Sequence, residues 1–239
     1  MLFQFNDSAT GSGWTSALRV NTSNLTIAGT LNTHTIPAVS ADTYTLNSAT
    51  QTLTGKTIDA EAAGNTITTV SRIWLEAASN NAGTAAANWD LPASNAPTAA
   101  AITGTNVLQG VLDFPDGATD LTAQRTLHLP ADWTGNIDAK VKWLSPGTSG
   151  NVVWGIAIAC VADGVTNDPA FTYNDVTDAT KGTANQTNEA AWSNLTTTGS
   201  CAAGSLAHIS FARRLSQAAD TMAATARAIG VELTIRRAQ

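Results

Sequence analysis

The chain has 239 residues, of which 43% are hydrophobic and only 13% are charged, against about 25% charged in ordinary soluble domains. Its net charge of −6 is spread over both halves, which excludes the basic surface that binding to nucleic acid or anionic membranes requires. No apolar run approaches the roughly 20 residues of a membrane span, and Met1–Asp7 lacks the basic start of a signal peptide, so we expect a cytoplasmically made protein without membrane insertion.

The first 24 residues combine a Gly-Ser-Gly turn with a few large apolar side chains, namely Leu2, Phe3, Phe5 and Trp14. One interpretation is a short strand next to a frayed terminus. The other is a segment that attaches the chain to a larger assembly, because these side chains are costly to leave in water. Residues 1–24 are therefore a candidate attachment segment.

From residue 25 to residue 70 the apolar residues come singly, among Thr and Asn. The clearest part is Gln51–Thr69, where short Thr-rich pieces separated by turn residues offer one apolar side chain each: Leu53, Ile58 and Ile67. Strands this short cannot repay the roughly 1–2 kcal/mol per residue that backbone ordering costs, so they need neighbours. A parallel homotrimer would supply them by placing three copies of each side chain on its axis. This pattern predicts an extended trimeric shaft or neck.

Residues 71–105 begin as a strand and then become rich in Ala, Asn, Ser and Pro. Gly and Pro residues interrupt every window in which the Ala runs could form a helix. The pattern predicts a linker, and hence a boundary between a shaft with its linker, residues 25–105, and a C-terminal domain, residues 106–239.

Longer strands bounded by Pro, Gly and Asp turns follow residue 106. Val152–Val161 is almost continuously apolar, which indicates a strand buried on both faces. Residues 218–228 could form a helix, but Ile229–Arg236 alternates between apolar and polar side chains, as a strand with one wet face does. Together these features predict an all-β fold, with an antiparallel, jelly-roll-like β-sandwich of about eight strands.

A long polar stretch from Ala162 to Gly204 separates two of these strands and contains few apolar side chains. Tyr173 and Trp192 are among its aromatic residues. An aromatic residue in such a loop either anchors the loop or stacks on a sugar ring. Both interpretations stay open at this point, and Tyr173 and Trp192 are the candidates for receptor contact.

Residues suited to catalysis or to metal binding are scattered along the chain. His34, His128 and His208 lie in separate segments without ligand spacing, and no nucleophile elbow or phosphate-binding loop occurs. The acid/base constellation of a polysaccharide-degrading enzyme is also missing from the pattern. We therefore predict no catalytic, cofactor-binding or metal site, and a protein that is not an enzyme.

Two further features leave alternatives open. The carboxylates of Asp113, Asp116 and Asp120 surround one turn, where they either cap the turn backbone or hold a structural calcium ion. Cys160 and Cys201 either form a disulfide or stay free, and free thiols are the commoner state in a cytoplasmically made chain.

Two N-terminal stretches resemble segments of bacteriophage fibre proteins. Leu53–Asp59 (LTGKTID) followed by Asn65–Thr68 (NTIT) is similar to an element of phage tail fibres and spikes, with Gly55 where Asn is usual. Asn24–Pro37 is similar to another recurring fibre segment. In that family such segments build slender homotrimeric shafts, so the resemblance implies a homotrimeric virion fibre that contacts other virion proteins through its N-terminal region.

The C-terminal half resembles the globular, trimeric β-sandwich heads of the same family. The resemblance lies in Phe114–Gly117 (FPDG), Leu129–Trp133 (LPADW), Val152–Trp154 (VVW) and the stretch from Asp220 to Leu233. It implies a phage tail fibre or spike in the virion, whose head contacts a host surface glycan or protein. A head fibre or capsid decoration protein with the same trimeric architecture is the alternative, because 239 residues is short for a reaching tail fibre.

Overall fold

The computed structural model describes residues 68–81 and 83–238. The candidate attachment residues Leu2, Phe3, Phe5 and Trp14 and the candidate trimer-axis residues Leu53, Ile58 and Ile67 lie outside these ranges, so both assignments stay predictions. Within the two ranges every regular element is a β-strand, and no helix there is long and apolar enough to cross a membrane.

Thirteen strands follow one another along the described residues. In chain order they are β1 (Thr68–Glu76), β2 (Ala78–Asn81), β3 (Thr84–Ala87), β4 (Thr98–Thr103), β5 (Leu108–Phe114), β6 (Leu121–His128), β7 (Trp133–Leu144), β8 (Asn151–Val161), β9 (Asn174–Ala179), β10 (Asn188–Trp192), β11 (Thr197–Thr198), β12 (Leu206–Arg213) and β13 (Ala226–Ala238). The all-β prediction is therefore confirmed for this part of the chain.

The strands form two sheets and a hairpin. Sheet I has six strands in the order β10-β7-β13-β5-β4, with β1 also paired to β13. Sheet II has five strands in the order β11-β8-β12-β6, with β9 also paired to β8. All pairs are antiparallel except the two-residue pairing of β11 with β8. The remaining strands, β2 and β3, form the hairpin. This arrangement confirms the predicted antiparallel β-sandwich.

The core lies between the inner faces of the two sheets. Its centre is aromatic: the rings of Trp154 and Phe211 stack with centroids 4.9 Å apart, and Phe114 meets Trp154 edge-on at 5.3 Å. Aromatic side chains bury more area than any others, and pairs in these geometries add about 0.5–1.5 kcal/mol beyond that burial. Val231, Leu233 and Ile235 of β13 complete the core from sheet I.

Two strands predicted from their sequence pattern occupy central positions. β8 is buried on both faces over residues 152–160, as its continuous apolar run predicted. β13 alternates between buried Val231, Leu233 and Ile235 and partly exposed residues between them, as its alternating pattern predicted. It pairs with β7, β5 and β1, which makes it the strand with the most neighbours in sheet I.

The sandwich in the structure starts before the boundary predicted at residue 106. β1 pairs with β13 over nine residues, from Thr68 opposite Ala238 to Glu76 opposite Gly230. β4, within the stretch predicted to be a linker, pairs with β5. The linker assignment is thus corrected: Gly and Pro do exclude a helix there, but short Ala-rich strands at the edge of a sheet need no apolar run of their own.

In the stretch that could have formed a helix, residues 218–225 form a corner held by a buried ion pair and residues 226–228 begin β13. Arg213 and Asp220 are 0% and 1% exposed, and two guanidinium N–H groups of Arg213 donate to the two carboxylate oxygens, at 3.1 and 2.7 Å. Arg213 also donates to the backbone carbonyls of Phe114, Met222 and Ala224. Because Phe114 belongs to sheet I and Arg213 to sheet II, this network ties the two sheets together.

Candidate functional site

The polar stretch Ala162–Gly204 lies against strand β12 on the outer face of sheet II. It contains β9, β10 and β11, so the prediction of one long loop is corrected. Ser210 of β12 faces outward but is fully buried, because the Tyr173 hydroxyl lies 2.6 Å from its Oγ. Asn167 contacts His208 on the same face, at 2.6 Å.

Tyr173 packs against β12 and is only partly exposed. The guanidinium of Arg214 sits 4.3 Å from the centre of the Tyr173 ring, and the same arginine reaches Asp120 at 3.0 Å and Asp175 at 3.4 Å. Burial raises the pKa of the Tyr173 hydroxyl, although its bond with Ser210 opposes the shift. These contacts correspond to the loop-anchoring interpretation of Tyr173, and its contact with a receptor stays a prediction.

Trp192 ends strand β10 and is 6% exposed. Its indole Nε1 donates to the backbone carbonyl of Asn174, at 2.9 Å. The Asn174 side chain in turn accepts from the backbone N–H of Thr196 and donates to the carbonyl of Ile156. Trp192 therefore joins β10 to β9, which also corresponds to anchoring, while its receptor contact stays a prediction.

A cleft of about 400 Å³ lies along the junction between β9 and β10. Its lining consists of Asn174, Asp175, Val176, Ala191, Trp192, Ser193 and Leu195. Burial raises the pKa of Asp175, and the nearby Arg214 partly offsets this. The cleft thus presents small and polar side chains, with little exposed area from the indole of Trp192.

Cys160 and Cys201 form a disulfide, with their Cα atoms 5.0 Å apart. The expectation that the free state is commoner is therefore corrected. Cys160 is near the end of β8, and Cys201 is near the end of the polar stretch Ala162–Gly204. Gly199, two residues before Cys201, has a φ of +75°, and a Cβ atom on it would overlap the carbonyl oxygen of Cys160. Spacing in the sequence, 41 residues, could not show that the two backbones touch.

The three carboxylates of the Asp-rich turn each meet a different arginine. Asp113 lies 3.3 Å from Arg227, Asp116 lies 3.8 Å from Arg213, and Asp120 lies 3.0 Å from Arg214. Asp120 also accepts from the backbone N–H and the hydroxyl of Ser216. Burial raises the pKa of Asp113, and Arg227 opposes the shift. In residues 68–81 and 83–238 no group of three or more His, Cys, Asp or Glu side chains is placed to hold a metal ion.

The outer face of sheet I, in contrast, has a cleft of about 260 Å³ that no part of the described chain fills. We call it the Trp74 cleft. Its lining residues are Arg72 and Trp74 of β1, Lys140 and Lys142 of β7, Glu189 of β10, and Glu232 and Thr234 of β13. Four strands that are distant in the sequence thus contribute one patch, with the indole at one side and charged groups at the other.

The indole of Trp74 lies against the backbone of β13 at one side of the cleft. A Cβ atom at Gly230 of β13 would overlap the indole ring of Trp74 and would lie 2.8 Å from the carbonyl oxygen of Leu75. Gly230 is therefore the residue that lets the ring approach the backbone. The Trp74 residue is nevertheless 45% exposed, so part of the ring is open to solvent.

The charged groups of the Trp74 cleft lie in oppositely charged pairs. The Glu189 carboxylate accepts from Lys142 at 2.5 Å and from Lys140 at 2.9 Å. These two bonds hold the pKa of Glu189 down at about 2, and the same contact raises the pKa of Lys140. Arg72 lies 3.8 Å from Glu232, and its side chain is 70% exposed. The cleft therefore offers donors and acceptors side by side, and Glu189 stays ionised at any ordinary pH.

Our sequence interpretation did not single out Trp74, although it recognised the strand Arg72–Leu75. A signal was present: Arg72, Trp74 and Glu76 alternate with Ile73 and Leu75, which places the tryptophan on the polar face of its strand. The other members of the cleft come from strands that only the sheet register brings together.

No protein-family model matches the sequence, and no curated protein sequence matches it. Solved structures match at low similarity. One is an isomalto-dextranase of Arthrobacter globiformis complexed with panose, at 16% identity and a TM-score of 0.36, over 69% of this chain and 23% of that chain. Another is a family 11 carbohydrate-binding module from Clostridium thermocellum in complex with a mixed-linked tetrasaccharide, at 11% identity and a TM-score of 0.36, over 74% of this chain and 92% of that chain.

A third match is the enzymatically active domain of tailspike protein 4 of bacteriophage CBA120, at 11% identity and a TM-score of 0.27, over 72% of this chain and 19% of that chain. The expectation that this chain is not an enzyme is corrected by these matches, because a dextranase and an enzymatically active domain are among them. The chain spans less than a quarter of either protein. At these TM-scores no activity, substrate or catalytic residue is transferred to this chain.

Proposed function

We propose that the chain is a bacteriophage virion protein, a homotrimeric tail fibre or spike whose β-sandwich is the head. In this proposal residues 1–24 attach the protein to other virion proteins, residues 25–67 form the shaft, and the head contacts the host surface. Three identical sites on one trimer would raise the effective affinity of a weak contact.

The observation that carries the proposal is the junction at Thr68. The fibre-like element LTGKTID…NTIT includes Thr68, and Thr68 already belongs to the described part of β1 in the sandwich. A fibre-like stretch and a β-sandwich thus follow one another without an intervening segment.

A head fibre or capsid decoration protein is the second candidate, because the same order of shaft and head serves either mounting point. Electron microscopy of virions labelled with antibody to the sandwich distinguishes the two. Label on the tail supports a tail fibre or spike, and label on the capsid supports the second candidate. Virions without label would refute both.

The trimer is tested by light scattering on the intact chain. A single chain has a mass of 24.6 kDa, so a trimer would scatter as a particle about three times heavier. A monomer at micromolar concentration would refute the proposal. In the shaft, Ile58→Asp should reduce trimer yield far more than Thr57→Ala, because it would bring three carboxylates together on the axis. Equal yields would show that Ile58 does not face the axis.

A further inference from the structure

We propose that the Trp74 cleft is a binding site for an oligosaccharide, with a pyranose ring stacked on the indole and its hydroxyl groups bonded to the charged side chains. The proposal names the site and ligand class for the host contact suggested above, and it deepens that proposed function.

The indole of Trp74 is placed as a rigid platform. It rests on the backbone at Gly230, where no side chain could fit beneath it, and 45% of the residue stays open to solvent. A pyranose ring presents apolar C–H groups on one face, and these are attracted to the negative face of an aromatic ring. A ring already fixed on the sheet loses little conformational freedom when a sugar binds.

The polar groups around the platform match the chemistry of sugar hydroxyls. A hydroxyl both donates and accepts, so it is best met by donors and acceptors that lie side by side. Lys140 and Lys142 flank Glu189, and Arg72 lies beside Glu232. Bonds to charged groups are stronger than bonds between neutral groups. Since Glu189 bonds to both lysines, these three charged groups lie together without a ligand.

The composition of the cleft argues against a second copy of this chain as its occupant. A stable protein interface needs about 800 Å² per partner with an apolar centre, and lysine and glutamate are depleted there. Five of the seven lining residues are charged, and Trp74 is the one large apolar side chain among them. A small polar ligand that needs a single aromatic contact fits this surface better.

The test is binding of the full-length protein to a microarray of neutral and acidic bacterial surface oligosaccharides. The strongest ligand is then titrated by calorimetry. We expect binding to at least one oligosaccharide, and we expect Trp74→Ala to weaken it about tenfold or more. Trp74→Tyr, which keeps a flat ring, should retain more binding than Trp74→Ala. Glu189→Gln should also weaken binding, because it releases both lysines.

Leu108→Ala is the matched control, since Leu108 is 65% exposed on the same sheet but does not line the cleft. It should bind like the wild-type protein. Absence of binding to every oligosaccharide, or equal binding by Trp74→Ala, would overturn the proposal. So would a change in oligomeric mass on Trp74→Ala, which would show that a second copy covers the cleft.

The outcome for the site can be separated from the outcome for the proposed function. Loss of glycan binding in Trp74→Ala, together with unlabelled virions, would support the site and refute the virion role. Labelled virions together with unaffected glycan binding in Trp74→Ala would support the virion role and refute the site.

Discussion

The two outer faces of the sandwich differ at the positions of their aromatic side chains: other parts of the chain lie against β12 of sheet II, whereas the Trp74 cleft of sheet I is unfilled by the described chain. On the outer face of sheet II, residues of the stretch 162–204 lie against β12, where Tyr173 contacts the fully buried Ser210. The face of sheet I is open around the Trp74 cleft, where Lys140, Lys142 and Glu189 are exposed and Trp74 lies on the surface. Tyr173 and Trp192 lie in a polar stretch of the sequence but pack against other parts of the chain. Trp74 lies in a regular strand but keeps part of its ring exposed. A polar sequence context alone therefore does not show that an aromatic side chain is available for binding.

The largest effect is expected from the buried ion pair that supports both faces. Arg213→Leu would leave the Asp220 carboxylate buried without its partner, which costs about 3–5 kcal/mol of unfolding free energy. Arg237→Ala is the control, because Arg237 pairs with Asp132 at 2.7 Å but its side chain is 38% exposed, and it should cost less than about 1 kcal/mol. Urea unfolding measures both. Similar losses in the two variants would show that burial does not set the strength of these pairs.

The contrast between the faces is tested most directly by two tryptophans. Trp192→Ala removes a buried indole and its bond to Asn174, and it should cost about 3–5 kcal/mol. Trp74→Ala removes an exposed indole and should change stability by about 0.5–1 kcal/mol at most. Thermal unfolding of both variants gives the comparison. If Trp74→Ala is as destabilising as Trp192→Ala, the open face is a structural surface and not a free one.

Removing the disulfide tests how much it stabilises residues 162–204 against local unfolding. Replacing Cys160 and Cys201 together by Ser should cost about 2–4 kcal/mol, because the bond closes a long loop. Amide hydrogen exchange should increase in residues 162–204 more than in β13. Without the disulfide, residues 162–204 should therefore be less stable against local unfolding than β13. Equal exchange in both regions would show that the hydrogen bonds of Tyr173 and Trp192 suffice.

The smallest effect concerns the pH dependence of the open face. The folded pKa of Glu189, about 2, lies below its usual value of 4.5, so the unfolded chain takes up this proton first. The stabilisation by Glu189 is therefore complete above pH 4.5 and is lost as the pH falls from 4.5 towards about 2. Since the partners are 38–48% exposed, the effect is small. The melting temperatures of wild type and Glu189→Gln should converge as the pH is lowered through this range, and a constant difference would contradict the assignment.

The sequence predicts the strands that carry an apolar pattern and misses those that do not. β8 and β13 are visible as a continuous and an alternating run. β4 and β9 are not, because their side chains are mainly Ala, Thr, Asn and Asp and their pairing depends on neighbours already in place. The Trp74 cleft is assembled from four strands, and only their register brings Glu189 opposite Lys142. Such long-range pairing is not contained in any local window.

The position of β13 also constrains when the sandwich can form during synthesis. β13 is synthesised after β1, β5 and β7, the three strands with which it pairs. Thr68 can pair with Ala238 only when the last part of β13 has been made. Until residue 226 has left the ribosome, sheet I has no strand to connect its two halves. Contacts between such distant residues also slow folding, since a long loop must close first. The nascent chain thus exposes unpaired strand edges until β13 has been made, and exposed edges of this kind favour aggregation.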